Sequence, residues 1–140
     1  MLAIRTILHP TDFTQNSDCA FQMACALARD YGAKLVILHV YPTPVVPAVS
    51  SGVFPVPMEV PREKLLGELQ EIKPSDPIVV VERALVEGEP SYEILRAAEE
   101  FDADLIVMGS RGFGQIGGLI LGSVSERVLH GAHNPVLIVR

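Results

Sequence analysis

Apolar side chains along this chain gather in five short runs: LAIRTIL (2–8), KLVILHV (34–40), PIVVVERAL (77–85), ADLIVMGS (103–110) and NPVLIVR (134–140). Runs this short and this rich in Val, Ile and Leu predict strands buried on both faces, as in a parallel sheet. Between the first two runs the pattern changes. Ala20, Met23, Ala24, Leu27, Ala28 and Tyr31 recur at helical spacing, and Gly32 marks the stop. REKLLGELQEI (62–72), GEPSYEILRAAEEF (88–101, with Pro90 in its first turn) and 123–131 predict three further helices. The stretch from Tyr41 to Pro61 holds six of the eleven prolines and reads as a long irregular loop.

Strand and helix therefore alternate from end to end. Right-handed crossovers turn that alternation into an α/β fold: a doubly wound, five-stranded parallel sheet in order 3-2-1-4-5, with helices on both faces. Residues 1–140 are read as a single domain. The winding reverses between the first and fourth strands, and ligands of such sheets bind at the carboxyl ends of the strands beside that reversal. HPTD (9–12) follows the first strand and GSRG (109–112) follows the fourth, so the two breaks in the apolar pattern converge on one crevice.

Charge narrows the ligand. A net charge of −6 and 20% charged residues, with no basic run, argue against nucleic acid as a partner. No apolar stretch has the length of a membrane span, and no signal peptide is evident, so a cytoplasmic location is expected. Cys19 and Cys25, six apart on a helix, point to different sides and are expected to be reduced and buried.

The densest oddity is GSRGFGQIGGLILGS (109–123), which holds six of the eleven glycines. Gly112, Gly114 and Gly117 match GxGxxG, but that fingerprint belongs in a first strand–helix turn, and this one follows the fourth strand. A Walker A loop and a GxSxG elbow are both absent. Gly122-Ser123 stands directly before a helix. Ser123 is a candidate N-cap or first-turn residue, and the free N–H groups there form an anion site. Gly109 and Gly112 would let the backbone bend around a ligand, and Gly114, Gly117 and Gly118 would form a flap. Asp12 suits either an Asx-turn capping the first helix or a ligand contact. His9 and His39 end adjacent strands, and His130 and His133 close the last helix. Without a cluster of ligand spacing around them, all four are read as structural. No Ser-His-Asp or paired-carboxylate arrangement follows from spacing, so no catalytic residue is assigned.

The spacing Gly109-x-x-Gly112, nine residues, then Gly122-Ser123 resembles the phosphate-site pattern of the universal stress protein family, in its nucleotide-binding branch. The likeness extends over ILHPTDFT, LVILHVY, VEGEPSYEIL, ADLIVMGSRG and LGSVSERVLHGAHNPVLIV, in that order. It departs at the short, proline-rich segment between the second and third strands. The resemblance implies a flavodoxin-like, adenine nucleotide alpha hydrolase-like fold that binds ATP, or AMP or ADP, with Mg²⁺ as an accompanying ion. It implies phosphate contacts from Gly112, Gly122, Ser123, Val124 and Ser125, and places Met108, Gly109 and Arg111 near the ribose and phosphates. It has Asp12 hydrogen-bond the nucleoside, from a turn shaped by Pro10 and Thr11, and sets the main chain of Val40 against the adenine edge. It also implies a regulatory role in the stress response, a homodimer built on the C-terminal strand, and an unidentified protein partner. Two alternatives stay open: a slow ATPase using the same pocket, and a ligand-free interaction module, against which the intact glycine pattern speaks. Flavin binding would rest on strand order alone.

Overall fold

The computed structural model describes residues 2–43, 60–110 and 121–140. In chain order the elements are β1 (Thr6–Pro10), α1 (Gln15–Tyr31), β2 (Lys34–Tyr41), α2 (Arg62–Glu71), β3 (Val81–Glu87), α3 (Pro90–Glu100), β4 (Leu105–Gly109), α4 (Ser123–Gly131) and β5 (Val136–Val139). The five strands form one sheet in the order β3-β2-β1-β4-β5, and every pairing is parallel. This is the doubly wound order that the apolar pattern predicts.

Alternation along each strand sorts the core into two layers. Ile7, Leu35, Ile37 and Val107 face α1 and α2, where they meet Ala20, Phe21, Ala24, Ala28 and Leu69. Leu8, Val36, Leu38, Val40, Ile106 and Met108 face α3 and α4, where they meet Ile94, Ala97, Ala98, Val124 and Val128. Small residues on the inward faces of α1 and α3 let both helices lie close to the sheet. α1 ends where expected: Gly32 sits in the left-handed region at φ 65 and its N–H closes onto the carbonyls of Ala28 and Arg29.

Three boundaries differ most from the sequence expectation. β1 runs over 6–10 rather than 2–8, because the Asp104 carboxylate takes the N–H groups of Arg5 (2.8 Å) and Thr6 (2.9 Å) and so precedes any ladder there. β3 begins at Val81 rather than Pro77. Asp76 takes the Ile78 N–H on its carboxylate at 3.0 Å and the Val79 N–H on its carbonyl at 3.3 Å, and this turn uses up the start of the apolar run. α1 begins at Gln15, well before its apolar stripe. Cys19 also departs from expectation. It is exposed, whereas Cys25 is half-buried, and burial pushes the Cys25 thiol up to about 11. Both are free thiols. Among the described residues, no helix is long and apolar enough to cross a membrane.

Candidate functional site

The reversal of winding opens a gap. β1 pairs with β4 only through Ile7 with Leu105 and Leu8 with Ile106. Past Leu8 the strands part, and the His9 imidazole fills the split. Its Nδ1 lies 2.9 Å from the Val107 carbonyl oxygen, so Nδ1 carries the proton and donates. The ring is fully buried and tilted against Phe21, with centroids 5.7 Å apart. Desolvation pushes its pKa down to about 4, against the opposing pull of the Val107 bond and the charges of Asp12 and Asp18. His9 is thus a neutral rung where the ladder has stopped. Pro10 costs this sheet nothing. Alternation points its nitrogen toward β4, where pairing has already ended.

One wall of the gap is the turn after β1. The Thr11 N–H donates to Leu38 O at 2.8 Å, and its carbonyl accepts from His39 Nδ1 at 2.8 Å. Asp12 Oδ1 accepts from the Thr14 N–H at 3.0 Å, the Thr14 hydroxyl at 2.5 Å and the Ser17 hydroxyl at 2.6 Å. Ser17 Oγ in turn accepts the Asp12 N–H at 3.1 Å. These bonds start α1, whose N-cap Thr14 makes no capping bond with its own side chain. Phe13 stands in the left-handed region at φ 65, uncommon for a bulky residue, with its ring 4.3 Å from that of His39. Neither the Phe13 backbone nor the two histidine bonds to carbonyls has a signature in the sequence.

β2 outlasts β1. The β1–β2 register ends at Pro10 opposite Leu38. Leu38 turns its carbonyl toward β1, where Thr11 meets it. By alternation the peptide groups of Val40 point the same way, past the end of the β1 ladder and into the gap. The Val40 side chain is core.

The other wall is built from β4 and α4. The Ser110 N–H donates to Val139 O at 3.0 Å, and its carbonyl accepts the Gly122 N–H at 2.6 Å. The Ser125 hydroxyl, fully buried, donates to Gly109 O at 2.8 Å. These two bonds dock the first turn of α4 onto the end of β4. The N-cap is Gly122 at φ −69 and ψ 158, and no side chain caps the helix. Among the described residues, the first-turn N–H groups of Ser123, Val124 and Ser125 therefore lack a cap partner at the positive end of the helix dipole. Ser123 is exposed and Val124 buried.

Pro10 ends β1 and Thr11 and Asp12 follow it, Val40 lies near the end of β2, Gly109 ends β4, and Gly122, Ser123, Val124 and Ser125 form the start of α4, with the Val124 side chain in the core. The Met108 side chain lies in the core against α3 and α4. Gly109 has a packing reason of its own: a Cβ there would stand 3.1 Å from the Asn16 carbonyl oxygen, so α1 lies directly over it. The Ser125 side chain is a tether between α4 and β4. Arg111 and Gly112, with Gly114, Gly117 and Gly118, lie outside the described residues. Among the described residues, no group of three His, Cys, Asp or Glu side chains could hold a metal ion.

A family model described as the universal stress protein family matches residues 3–140. A universal stress protein of Thermus aquaticus, from the QAH/OAS sulfhydrylase 3′ region, is 35% identical over 136 residues, covering 97% of this chain and 98% of that protein. YxiE of Bacillus subtilis, also a universal stress protein, is 39% identical over 140 residues, covering 92% and 94%. A solved universal stress protein in complex with cAMP matches the fold with a TM-score of 0.74 at 27% identity, covering 99% of this chain and 98% of that one. The chain belongs to the universal stress protein family.

Proposed function

We propose that this universal stress protein binds an adenine nucleotide at the β1–β4 split and acts as a regulatory protein, with ATP the preferred ligand. The uncapped start of α4, tied to the end of β4 beside a split in the sheet, carries this reading. Such a helix start accepts phosphate through backbone donors and the dipole. The solved relative in complex with cAMP supports an adenine ligand. In this reading Gly122, Ser123 and Val124 face the phosphates, joined by Arg111 and Gly112. Val40 offers its peptide groups to the adenine edge, and Asp12 meets the nucleoside beside its bonds within the turn. Mg²⁺ would be held through phosphate oxygens, since the described residues supply no ligand cluster.

A homodimer through β5 belongs to the same reading. Val136–Val139 is a half-buried edge strand of apolar residues, and edges of this kind pair with another chain. The whole of residues 1–140 would act as one domain.

The test is the ligand itself. Mass spectrometry of material released from the purified protein is expected to find an adenine nucleotide. ATP added to stripped protein is expected to raise its unfolding midpoint with concentration, through mass action. Stripped, folded protein whose midpoint ignores ATP, ADP, AMP and cAMP would sink the reading.

A further inference from the structure

At the end of the sheet opposite the β1–β4 split, a pocket of about 450 Å³ opens where β1, β2 and β3 begin and α1 ends. Its volume falls within the usual range of small-molecule sites. Arg5, Arg29 and Lys34 line it, and no carboxylate does. The chain carries 17 acidic residues against 11 basic ones, so an all-cationic lining runs against its composition. The rest of the lining is small or apolar, and two of its members stand unusually far into solvent: Ile78 is 71% and Val80 65% exposed. The Asp76 turn holds Ile78 out of the β3 ladder, whereas the Val80 carbonyl still accepts the Leu35 N–H of β2 at 2.8 Å.

The cations are available. Arg29 reaches Asp30 at 2.9 Å and Lys34 reaches Glu82 at 3.0 Å, but these side chains are between 38% and 61% exposed. Such pairs contribute little and exchange readily. No ion pair engages the Arg5 guanidinium among the described residues; Asp104 binds the Arg5 backbone instead. The negative end of α1 is partly closed as well, since the carbonyls of Ala28 and Arg29 accept from Gly32 and Ala33.

We propose that this pocket binds an apolar carboxylate, a small organic anion. The charge lies between Arg5 and Lys34, and the hydrocarbon body covers Ile78 and Val80. Charge and apolar surface both count: a bare anion leaves Ile78 and Val80 wet, and a neutral hydrocarbon makes no use of the Arg5 guanidinium. The site is independent of the nucleotide reading.

Octanoate is the probe, titrated into isotope-labelled protein and followed by backbone amide shifts. The expected result is saturable shifts at Arg5, Lys34, Ile78 and Val80 below about 10 mM, a weak-affinity range. Arg5→Ala removes an exposed side chain and should leave the unfolding midpoint unchanged. It should weaken octanoate about threefold, the loss of one solvent-exposed ion pair. Ile78→Ser should weaken octanoate but not acetate. The proposal fails if no shift saturates, if the shifts lie elsewhere, if acetate or octanol binds as well as octanoate, or if folded Arg5→Ala binds like the wild type.

Discussion

Two helices on the same face of this sheet begin in opposite ways. α3 starts with its anion built in. The Glu89 carboxylate accepts from the N–H groups of Ser91 and Tyr92 and from the Ser91 hydroxyl, and Arg127 stands 3.5 Å away. Burial alone would raise the Glu89 carboxyl, but those bonds and the Arg127 charge together hold it below its usual range. α4 starts at a glycine, with no side chain to cap it. The physics at both helix starts is the same, because exposed N–H groups and a dipole attract negative charge. At α3 the chain supplies that charge; at α4 no described residue does. Arg127 lies in the middle of α4, so one ion pair links the start of α3 to α4.

Giving α4 what α3 already has should produce the largest effect. Gly122 occupies extended N-cap geometry that Asp adopts without strain. Gly122→Asp is expected to fold and to melt at or above the wild-type midpoint. Its carboxylate would fill the anion site and repel phosphate. Losing several charge-assisted contacts, each on the order of 1.5–3 kcal/mol, should weaken ATP by about a hundredfold or more. Titration calorimetry and ATP-dependent melting check both halves. A folded variant with wild-type ATP affinity would mean that the contrast between the helix starts has nothing to do with a ligand.

The next effect belongs to the floor between the crevice walls. His9 has a folded pKa of about 4 against 6.5 for the free side chain. Between those values the unfolded state holds the extra proton. Stability is therefore full above about pH 6.5 and falls as the pH drops toward 4, by roughly 3 kcal/mol in total. His9→Asn keeps an amide donor for Val107 and removes the titration. Urea unfolding of both proteins from pH 7 to 4.5 should show a loss in the wild type that the variant lacks. Parallel curves would show that the imidazole does not stay neutral in the split.

Removing the built-in anion comes third. Glu89→Ala should cost about 1 kcal/mol of stability, a typical N-cap loss, and leave ATP affinity nearly unchanged. The contribution of Glu89 is present above its unfolded value of 4.5 and is lost as the pH falls through its lowered folded value. Acid should thus loosen α3 before α4, which hydrogen exchange of Tyr92 and Glu126, each hydrogen-bonded at its helix start, would follow. A large loss of ATP affinity in Glu89→Ala would show that the two starts work as one site through Arg127.

Much of this was legible from periodicity. Val/Ile/Leu runs and small-residue helix faces lead directly to the sheet order and to the split between β1 and β4. What escaped is local chemistry that overrides the pattern. Asp76 makes a turn that claims Pro77–Val79, so Ile78, meant for β3, stands in solvent while Val79 stays in the core. QNSD (15–18) has no apolar stripe, yet it opens α1 because Asp12 and Ser17 bind each other across the turn. Gly109 reads as a ligand glycine, but the contact it admits in this structure is the α1 backbone at Asn16. His9 and His39 were legible as neighbours at strand ends. Their carbonyl partners were not, because two strands parting leave no mark in the sequence.

The smallest effect is the sharpest test of how α4 would hold its anion. Ser123 is the first residue of the helix, and its side chain is exposed. Were the hydroxyl the principal contact, Ser123→Ala would cost as much as any charge-assisted bond, about tenfold or more in affinity. The reading proposed here puts the burden on backbone donors, which alanine keeps. Ser123→Ala is then expected to weaken ATP by no more than about threefold, under about 0.7 kcal/mol, with an unchanged melting midpoint. Gly122→Asp and Ser123→Ala, one residue apart, should differ by more than a factor of ten. If they cost the same, the phosphates are held by the serine side chain, and the resemblance of this helix start to a built-in anion site is only formal.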